Sequence, residues 1–495
     1  MNVAWGARLS GETKGLDVMG IRALDQNIEA SLTNGITTIS IRARYISILA
    51  WAIGQYFVDE SAGGRVRHDP QARAVYLNRV RFLVLAATFL DGGTSRIGAM
   101  GSDYFADEMA ALVAGNAVPL PDTGKLALLG TYFGPASAIG LLESRPESSG
   151  LPFGLTARGT AIYHTRSRAL EGTGLIELLR DGGDLDHGTA RAAIPAFSLA
   201  RTAEFAEEAE LLRKAFSEPW IPRNALAAKR VAEAYQRMAA TRAWIDHELG
   251  AGPADANQLI SRTYDRAVIN GATGIELEWA SFEWHRRVHF ALELLLSAVT
   301  KTLPAEGSLS IAQVVGKWAS IHDSAAPLSA YWRSPIHLAI TAVQPGQFSG
   351  SLLRTGEFVG PPEIIALKAF ELLVTQARNA HAIGVTPGAS AGVAATAART
   401  IQLVESGVGT LAEVMLTICD ECVAQRHIQN TMRKMGNQQD CSLRFYPDGP
   451  VLVRTKLDFG PGYSGSRLQN TMRILADLGM LNIGANAAIA AEVAG

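Results

Sequence analysis

Three cysteines and a histidine near the C-terminal end of the chain are the side chains most suited to metal chemistry. Cys419 and Cys422 are three residues apart, and His427 and Cys441 follow them. Thiolate and imidazole groups of this kind form structural zinc sites of the Cys₃His type. Three of the four residues fall inside a predicted helix, however, whereas zinc ribbons place Cys-x₂-Cys on a tight turn, and buried structural cysteines are common. The sequence therefore favours buried thiols, and the four residues remain weak zinc candidates.

A second set of possible ligands lies on one predicted helix farther upstream. His285 and His289 are four residues apart and share a helix face, and Glu283 is close by. This spacing keeps a metal-dependent hydrolase open as an alternative function. The residues between the histidines are Arg-Arg-Val, so the chain lacks the His-Glu-x-x-His motif in which the glutamate acts as general base. Because two arginines repel a cation, the prediction is a solvated charged helix face, and no cofactor is predicted.

Basic residues suggest a third chemistry, contact with phosphates or with an acidic partner protein. Residues 426–473 contain eight basic and three acidic side chains, a local charge of +5 in a chain whose formal charge is −2. Two more arginines and a tyrosine open an apolar helix at residues 42–45. Arginines on a recognition helix or a β-wing contact phosphates and groove edges in nucleic-acid complexes. The candidate contact residues are Arg42, Arg44, Arg433, Arg444, Arg454 and Arg473.

Nucleotide binding and covalent catalysis have weaker signals. The segment Asp91-Gly-Gly-Thr-Ser-Arg-Ile-Gly98 is rich in glycine, and such a turn can hold phosphate through backbone N–H groups. It lacks the lysine and the preceding strand of a phosphate-binding loop, so a turn between helices is the favoured interpretation. The segment Gly388-Ala-Ser-Ala-Gly392 has the Gly-x-Ser-x-Gly pattern, but it lies in the small-residue-rich stretch 384–392, which is predicted to be a loop or linker and not the strand-to-helix turn that a nucleophile motif needs. A non-enzymatic role is therefore favoured.

Helical periodicity dominates the segments that must position these residues. Apolar side chains recur at i, i+3, i+4 and i+7, the pattern of an amphipathic helix, in five long segments. These segments are 198–216, 225–249, 282–301, 362–383 and 410–435. The predicted fold class is mainly α and multi-helical.

Two places combine helices with a hairpin. At 442–459, alternating apolar residues flank the turn Pro447-Asp448-Gly449-Pro450, between predicted helices 410–435 and 464–478. At 124–170, the prediction is a helix over 125–142, a turn at 146–150, a strand over 151–156 and a helix over 158–170. Helix, two-stranded wing and helix is part of a winged-helix layout. One or two small winged-helix-like units are therefore predicted.

A six-residue sequence occurs twice with one change. Ile428-Gln-Asn-Thr-Met-Arg433 returns as Leu468-Gln-Asn-Thr-Met-Arg473, again inside a predicted helix. A solenoid needs three or more copies, so the pair does not indicate a repeat architecture. Chance, or two helices that present similar faces to each other, is the preferred explanation.

Composition limits the class of protein. The chain has 495 residues, 48% of them hydrophobic and 19% charged, enough to build a large core. Its most apolar stretches, 46–53, 82–90 and 290–299, fall short of the roughly 20 residues that span a bilayer. With three cysteines and no apolar leader at the N-terminus, a cytoplasmic location is expected. The predicted divisions are an N-terminal helical domain (1–120), a winged-helix-like unit (121–172), a helical middle domain (173–384) and a C-terminal helical and winged-helix-like domain (385–495).

The N-terminal residues Gly15-Leu-Asp-Val-Met-Gly20, Gly35-Ile-Thr-Thr-Ile-Ser-x-Arg-Ala-Arg-Tyr45 and Ala50-Trp51 resemble the opening of uncharacterised bacterial proteins of anti-phage defence islands. The shared core is Gly-x-Thr-x-x-x-x-Arg-x-Arg-Tyr followed by an apolar helix that contains tryptophan. The resemblance covers about 45 residues and implies a genomic setting and a multi-protein system. It carries no catalytic residue.

These observations together predict a non-catalytic subunit of a bacterial defence complex. Its partners would be DNA or a nuclease, helicase or ATPase subunit. Two alternatives stay open: a kleisin-like scaffold that bridges the arms of an SMC-type ATPase, and the metal-dependent hydrolase described above.

Overall fold

The computed structural model of the chain describes residues 17–62, 69–92, 98–144, 153–222, 224–320, 327–328, 358, 360–384, 409–436, 442–456, 459–462 and 466–481. In chain order its α-helices are α1 (Arg22–Leu32), α2 (Arg44–Ala62), α3 (Pro70–Asp91), α4 (Ala106–Val113), α5 (Ala127–Ala138), α6 (Ala157–Leu170), α7 (Leu175–Asp181), α8 (His187–Ala192), α9 (Ile194–Phe197), α10 (Ala206–Ser217), α11 (Ala225–Gly250), α12 (Ala256–Asn270), α13 (Gly274–Thr302), α14 (Ile311–Ala319), α15 (Pro362–Ala382), α16 (Leu411–Thr417), α17 (Gln425–Gly436) and α18 (Arg467–Asp477). A 3₁₀ turn spans Leu199–Arg201, and a π-helix spans Ile418–Ala424. The strands are β1 (Val118–Pro119), β2 (Leu142–Ser144), β3 (Phe153–Leu155), β4 (Asp184–Leu185), β5 (Ser308–Leu309), β6 (Phe445–Asp448) and β7 (Val451–Arg454).

The mainly helical fold predicted from the sequence is confirmed. Several helices start where a side chain bonds the first free backbone N–H groups. Asn224 accepts from two backbone N–H groups at the start of α11, and Thr410 forms a capping box with Glu413 at the start of α16. The three most apolar stretches lie in α2, α3 and α13 and are almost entirely buried, as expected.

The chain folds into two compact units, each built from separate stretches of sequence. Unit 1 draws on the ranges 1–28 and 257–465, and unit 2 draws on the ranges 29–256 and 466–495. The chain therefore passes from one unit to the other three times. The boundaries predicted after residues 120 and 172 fall inside unit 2, and the one after 384 falls inside unit 1.

Helix α13 forms the centre of unit 1. Nearly every side chain from residue 279 to residue 300 is buried, and the helix packs along α15 and the π-helix. Trp284, Trp318 and Phe370 fill the space between these helices and α14. Each fully buried side chain of this size contributes about 1.5–3 kcal/mol through the hydrophobic effect.

Unit 1 also holds the predicted C-terminal hairpin. Strands β6 and β7 pair with Asp448 opposite Val451, so Gly449 and Pro450 form the turn. Strand β5 adds to the other edge of β7, which gives a three-stranded antiparallel sheet of order β5-β7-β6. The arrangement differs from a self-contained winged helix, because α18, the helix that follows the hairpin in sequence, belongs to unit 2.

Unit 2 is organised around α2, which packs against α5 and α6, while α3 packs against α8 and α9. The order predicted for 124–170 is present as α5, the hairpin β2–β3 and α6. Leu142, predicted to end the helix, lies instead in β2. The reason is Gly140, whose positive φ of 71° ends α5 before it. The predicted turn at 146–150 lies outside the described residues.

Candidate nucleic-acid interface

Helix α17 and the hairpin β6–β7 form a helix–hairpin element in unit 1, and His427 joins its two parts. The Nδ1 atom of His427 lies 3.0 Å from the carbonyl oxygen of Val18, and its Nε2 atom accepts the backbone N–H of Arg444 at 2.9 Å. A ring that accepts at Nε2 carries its proton on Nδ1, so this imidazole is neutral. Burial lowers the pKa of His427 to about 4, which keeps it neutral at physiological pH.

Further contacts hold the hairpin on the helix. The rings of His427 and Phe445 meet edge to face with 5.0 Å between centroids. The hydroxyl oxygens of Thr431 and Ser442 are 3.5 Å apart, and the N–H of Thr455 donates to the Arg444 carbonyl at 2.9 Å. The helix–hairpin element therefore presents a fixed set of side chains to its surroundings.

The outer side of the helix–hairpin element is basic. Lys434 is turned inward, since its Nζ donates to the carbonyl of Asp17, and the guanidinium of Arg444 lies 5.8 Å from the Phe459 ring centroid. Arg433 and Lys456 are exposed. In total, the described part of residues 425–456 carries six basic side chains and one acidic side chain: Arg426, Arg433, Lys434, Arg444, Arg454, Lys456 and Asp448.

Arg42 and Arg44, two of the predicted contact residues, lie inside unit 2. The Nε atom of Arg42 donates to the carboxylate of Asp477 at 2.9 Å, and its Nη2 atom donates to the carbonyl of Leu199 at 2.8 Å. Arg44 is completely buried, and its guanidinium donates to the carbonyl of Ser198. The expectation that these two arginines meet a partner is corrected here: the structure uses them to tie unit 2 together.

The remaining predicted contact residues divide between the two units. Arg433, Arg444 and Arg454 belong to the helix–hairpin element of unit 1. Arg473 is partly buried on α18 in unit 2. Only the three residues of unit 1 are therefore brought together on one element.

The candidate zinc ligands do not form a site among the described residues. Cys419 and Cys422 are buried in the π-helix, and burial raises the pKa of the Cys419 thiol well above its usual value. Both ring nitrogens of His427 are already engaged by backbone groups, so it has no lone pair to offer a metal. Cys441 lies outside the described residues. In the described part of the chain, no three His, Cys, Asp or Glu side chains are placed to hold a metal ion.

The histidine pair of α13 is buried, which corrects the predicted solvated face. His285 is 8% exposed and His289 is 2% exposed. The Nδ1 atom of His285 bonds the Ser281 carbonyl at 2.7 Å. The Nε atom of Arg287 donates a hydrogen bond to Oε1 of Glu283 at 2.8 Å. The charged groups pair with one another inside unit 1, and this pairing offsets the cost of removing them from water.

His289 belongs to an anchor for the N-terminal segment. Its Nε2 atom lies 3.1 Å from Oε1 of Glu293, and its Nδ1 atom lies 3.4 Å from Oδ2 of Asp25. Arg22 donates to the same Glu293 oxygen at 2.6 Å, and the N–H of Gly462 donates to its other oxygen at 2.9 Å. The two carboxylates lie on opposite sides of the ring, so they do not converge on a metal position.

In the first helix–hairpin–helix segment, the basic side chains lie on α6, the helix after the hairpin, and none lies on the helix before it. Helix α5 reads ALLGTYFGPASA and contains neither lysine nor arginine. The segment packs on α2 through α5 and α6. We therefore interpret it as part of the scaffold of unit 2.

Unit 2 also contains a buried cluster of charged side chains that the sequence did not predict. The Glu208 carboxylate accepts from Nη1 of Arg166 at 2.8 Å to each oxygen, from Nη2 of Arg44 at 3.4 Å, and from the hydroxyl of Ser47. All three charged groups are at most 1% exposed. The partners are far apart in sequence, so no local pattern identifies them.

No protein-family model, curated protein or solved structure matches this chain. Within the described residues, no helix has the length and apolar character needed to cross a membrane.

Proposed function

We propose that this protein is a non-catalytic subunit of a bacterial anti-phage defence complex and that its helix–hairpin element contacts duplex DNA. The observation that carries the DNA contact is the basic outer side of α17 and β6–β7, in a chain with a net charge of −2. The defence setting is supported by the resemblance of residues 15–51 alone.

Within the helix–hairpin element, the role of each side chain follows from whether it is exposed or buried. The exposed Arg433 and Lys456 neutralise phosphates and release counterions, which supplies most of the affinity. Gln429 and Arg433 are four residues apart on the exposed side of α17, where they can reach base edges. His427 touches no ligand; it holds the hairpin against the helix so that both bind one stretch of duplex.

The test is a titration of a labelled 20-base-pair duplex, followed by fluorescence anisotropy over a range of salt concentrations. We expect the double variant Arg433→Glu/Lys456→Glu to weaken binding at least tenfold. We also expect it to reduce the slope of log K against log salt by about 2, because two phosphate contacts are lost. The matched control is Arg168→Glu/Lys229→Glu, which makes the same charge change at two exposed positions of unit 2. Equal affinity of the two double variants would refute the DNA contact.

A partner protein is the second candidate occupant of this surface, and exposed apolar side chains favour it. Met432 on α17 is 50% exposed and Tyr446 on β6 is 45% exposed. Arg, Tyr and Met are enriched at protein interfaces. Purification of the tagged protein from its native operon, with mass spectrometry of the eluate, would test this. A nuclease, helicase or ATPase recovered at fixed stoichiometry, and lost with Met432→Asp, would identify a subunit interface.

A further inference from the structure

A non-helical N-terminal segment, residues 17–20, lies along the buried side of α17. Side chains of the helix bond its main chain. The Nδ2 atom of Asn430 donates to the carbonyl of Asp17 at 2.8 Å, and the Nδ1 atom of His427 lies 3.0 Å from the carbonyl oxygen of Val18. The segment therefore holds the buried side chains of α17 through its own carbonyl groups.

Asn430 connects this segment to a cation at the surface. The Nη2 atom of the exposed Arg433 donates to Oδ1 of Asn430 at 3.0 Å, while Asn430 itself is only 7% exposed. The two bonds fix the orientation of the amide, because the reverse orientation would place oxygen against the Asp17 carbonyl and NH₂ against the guanidinium. A continuous chain of hydrogen bonds thus runs from the Asp17 carbonyl to the Arg433 guanidinium.

Gly20 leaves the space that the Asn430 amide occupies. Its φ is +69°, a conformation that favours glycine, and an added Cβ would lie 2.5 Å from Oδ1 and 2.8 Å from Cγ of Asn430. A side chain at position 20 would therefore displace the atom that accepts from Arg433.

We infer that Asn430 is a positioning residue of the DNA contact: held by residues 17–20, it orders Arg433 for the duplex. This inference rests on the proposed function. The bond to Asn430 engages one of the five N–H donors of the guanidinium, whose planar fork suits phosphate and guanine acceptors. An exposed arginine loses rotamer freedom when it binds, and this loss costs affinity. Asn430 reduces that cost because it orders the side chain before the duplex arrives.

The test is a double-substitution cycle on the affinity for the labelled duplex, measured by anisotropy over a range of salt concentrations. We expect Asn430→Ala to weaken binding about 3- to 10-fold, the usual effect of immobilising one long side chain. The slope of log K against log salt should stay the same, because Arg433 keeps its charge. Arg433→Met should reduce that slope by about 1. In the Arg433→Met background, Asn430→Ala should weaken binding less than about twofold, since the residue that it positions is gone.

The repeated sequence supplies the matched control, Asn470→Ala. Asn470 is 5% exposed and donates to the carbonyl of Thr37 at 3.0 Å, but it lies on α18 in unit 2. We expect this variant to lower the Tm about as much as Asn430→Ala does and to keep the duplex affinity of the wild type. The comparison separates a lost buried asparagine from a lost position of Arg433.

Gly20→Ala tests the same link from the side of the N-terminal segment, and it carries the test if Asn430→Ala does not fold. It should weaken binding about as much as Asn430→Ala, because the added Cβ displaces Oδ1. Its control is Gly172→Ala: Gly172 has a similar φ of +73° but no atom within 4 Å of an added Cβ, so duplex affinity should not change.

The outcomes distinguish this inference from the proposed function. A wild-type protein that does not bind the duplex would overturn the proposed function, and the positioning role with it. If the wild type binds, wild-type affinity in Asn430→Ala would overturn the positioning role alone. An equal loss from Asn430→Ala with and without Arg433 would do the same, and so would a fall in its salt slope of about 2 or more, because the whole element would then have come apart.

Discussion

The charge state of each buried histidine is set by the atoms on its two ring nitrogens. His427 lies between a backbone carbonyl and a backbone N–H and stays neutral. His289 lies between two carboxylates; burial lowers its pKa, but the bonds to Asp25 and Glu293 outweigh burial and raise it. The neutral form of His427 therefore stabilises the fold towards high pH, whereas the charged form of His289 stabilises it towards low pH.

We expect the stability contributed by His427 to be lost on acidification. Its pKa is about 4 in the native state and about 6.5 in the unfolded chain, so the contribution is complete above pH 6.5 and falls as pH decreases towards 4. The total loss in the free energy of unfolding is about 3 kcal/mol. Urea unfolding of the wild type and His427→Gln at pH 7.5 and pH 4.5 measures it. An equal pH dependence in both proteins would contradict the assignment of a neutral native-state ring.

The Glu208 carboxylate accepts from two fully buried arginines. We expect Glu208→Ala to lower the free energy of unfolding by about 3–5 kcal/mol, because Arg44 and Arg166 would both lose their counter-ion inside unit 2. The neighbouring Glu207 is 63% exposed and provides the control. Glu207→Ala should change stability by less than about 0.5 kcal/mol in the same urea titration. Similar losses in the two variants would exclude the proposed role of the cluster.

At the candidate site, the role of each individual side chain was the hardest feature to predict from the sequence. The residue types of Cys419, Cys422 and His427 suit zinc, but residue types do not show that the Val18 carbonyl is bonded to the imidazole. Arg42 and Arg44 look like surface cations, yet their partners lie more than 150 positions away. Long-range partners decide whether a charged side chain is structural or available, and no local pattern contains them.

At the scale of elements, local signals predicted well. The hairpin turn at Gly449-Pro450 was expected, because turn chemistry depends on nearby residues alone. The π-helix within the predicted segment 410–435 was missed. Its apolar spacing resembles that of an α-helix, and the extra residue per turn is fixed by packing against α13 and α14.

The repeated sequence has the same local role in both copies. Asn430 in α17 is buried and donates to the carbonyl of Asp17, and Asn470 in α18 is buried and donates to the carbonyl of Thr37. Each asparagine thus bonds the backbone of a non-helical segment near the start of its own unit. The two helices therefore make the same kind of asparagine contact, each within its own unit.

The turn that joins α1 to α2 depends on Gly35. Its φ is +82°, and an added Cβ would lie 2.3 Å from the Cβ of Ala138. We expect Gly35→Ala to cost about 2–4 kcal/mol, from backbone strain together with overpacking. Gly172→Ala is the control, since Gly172 has a φ of +73° but no atom within 4 Å of the added Cβ, and should cost about 1 kcal/mol. Chemical denaturation of both variants checks the difference; equal costs would show that the contact with Ala138 is unimportant.

At the scale of the whole molecule, the division into consecutive domains is where sequence reasoning is weakest. Composition and breakers mark places where helices end, but they carry no information on which helices pack together. Helix α13 packs against the π-helix, which lies beyond the predicted boundary at residue 384. Packing between segments that are distant in sequence builds each unit, and the chain therefore crosses between the units repeatedly.

We expect a fragment of residues 385–495 to remain unfolded. Its hairpin would lose β5, its His427 would lose Val18, and its helix α18 would lose unit 2. Far-UV circular dichroism during urea titration, with the full chain beside it, measures this. A cooperative unfolding transition in the fragment would show instead that the C-terminal segment is an independent domain.

The hydrogen bond between His427 and Val18 also determines when, during translation, the N-terminal segment can dock onto unit 1. The two residues are 409 positions apart. At about 5–20 residues per second on a ribosome, roughly 20–80 s separate the appearance of Val18 from that of its partner. For that interval, residues 17–28 have left the ribosome while part of their docking surface does not yet exist. The nascent chain is then exposed to proteases and chaperones at helix α1, and cleavage there would remove an anchor of unit 1 before the unit had formed.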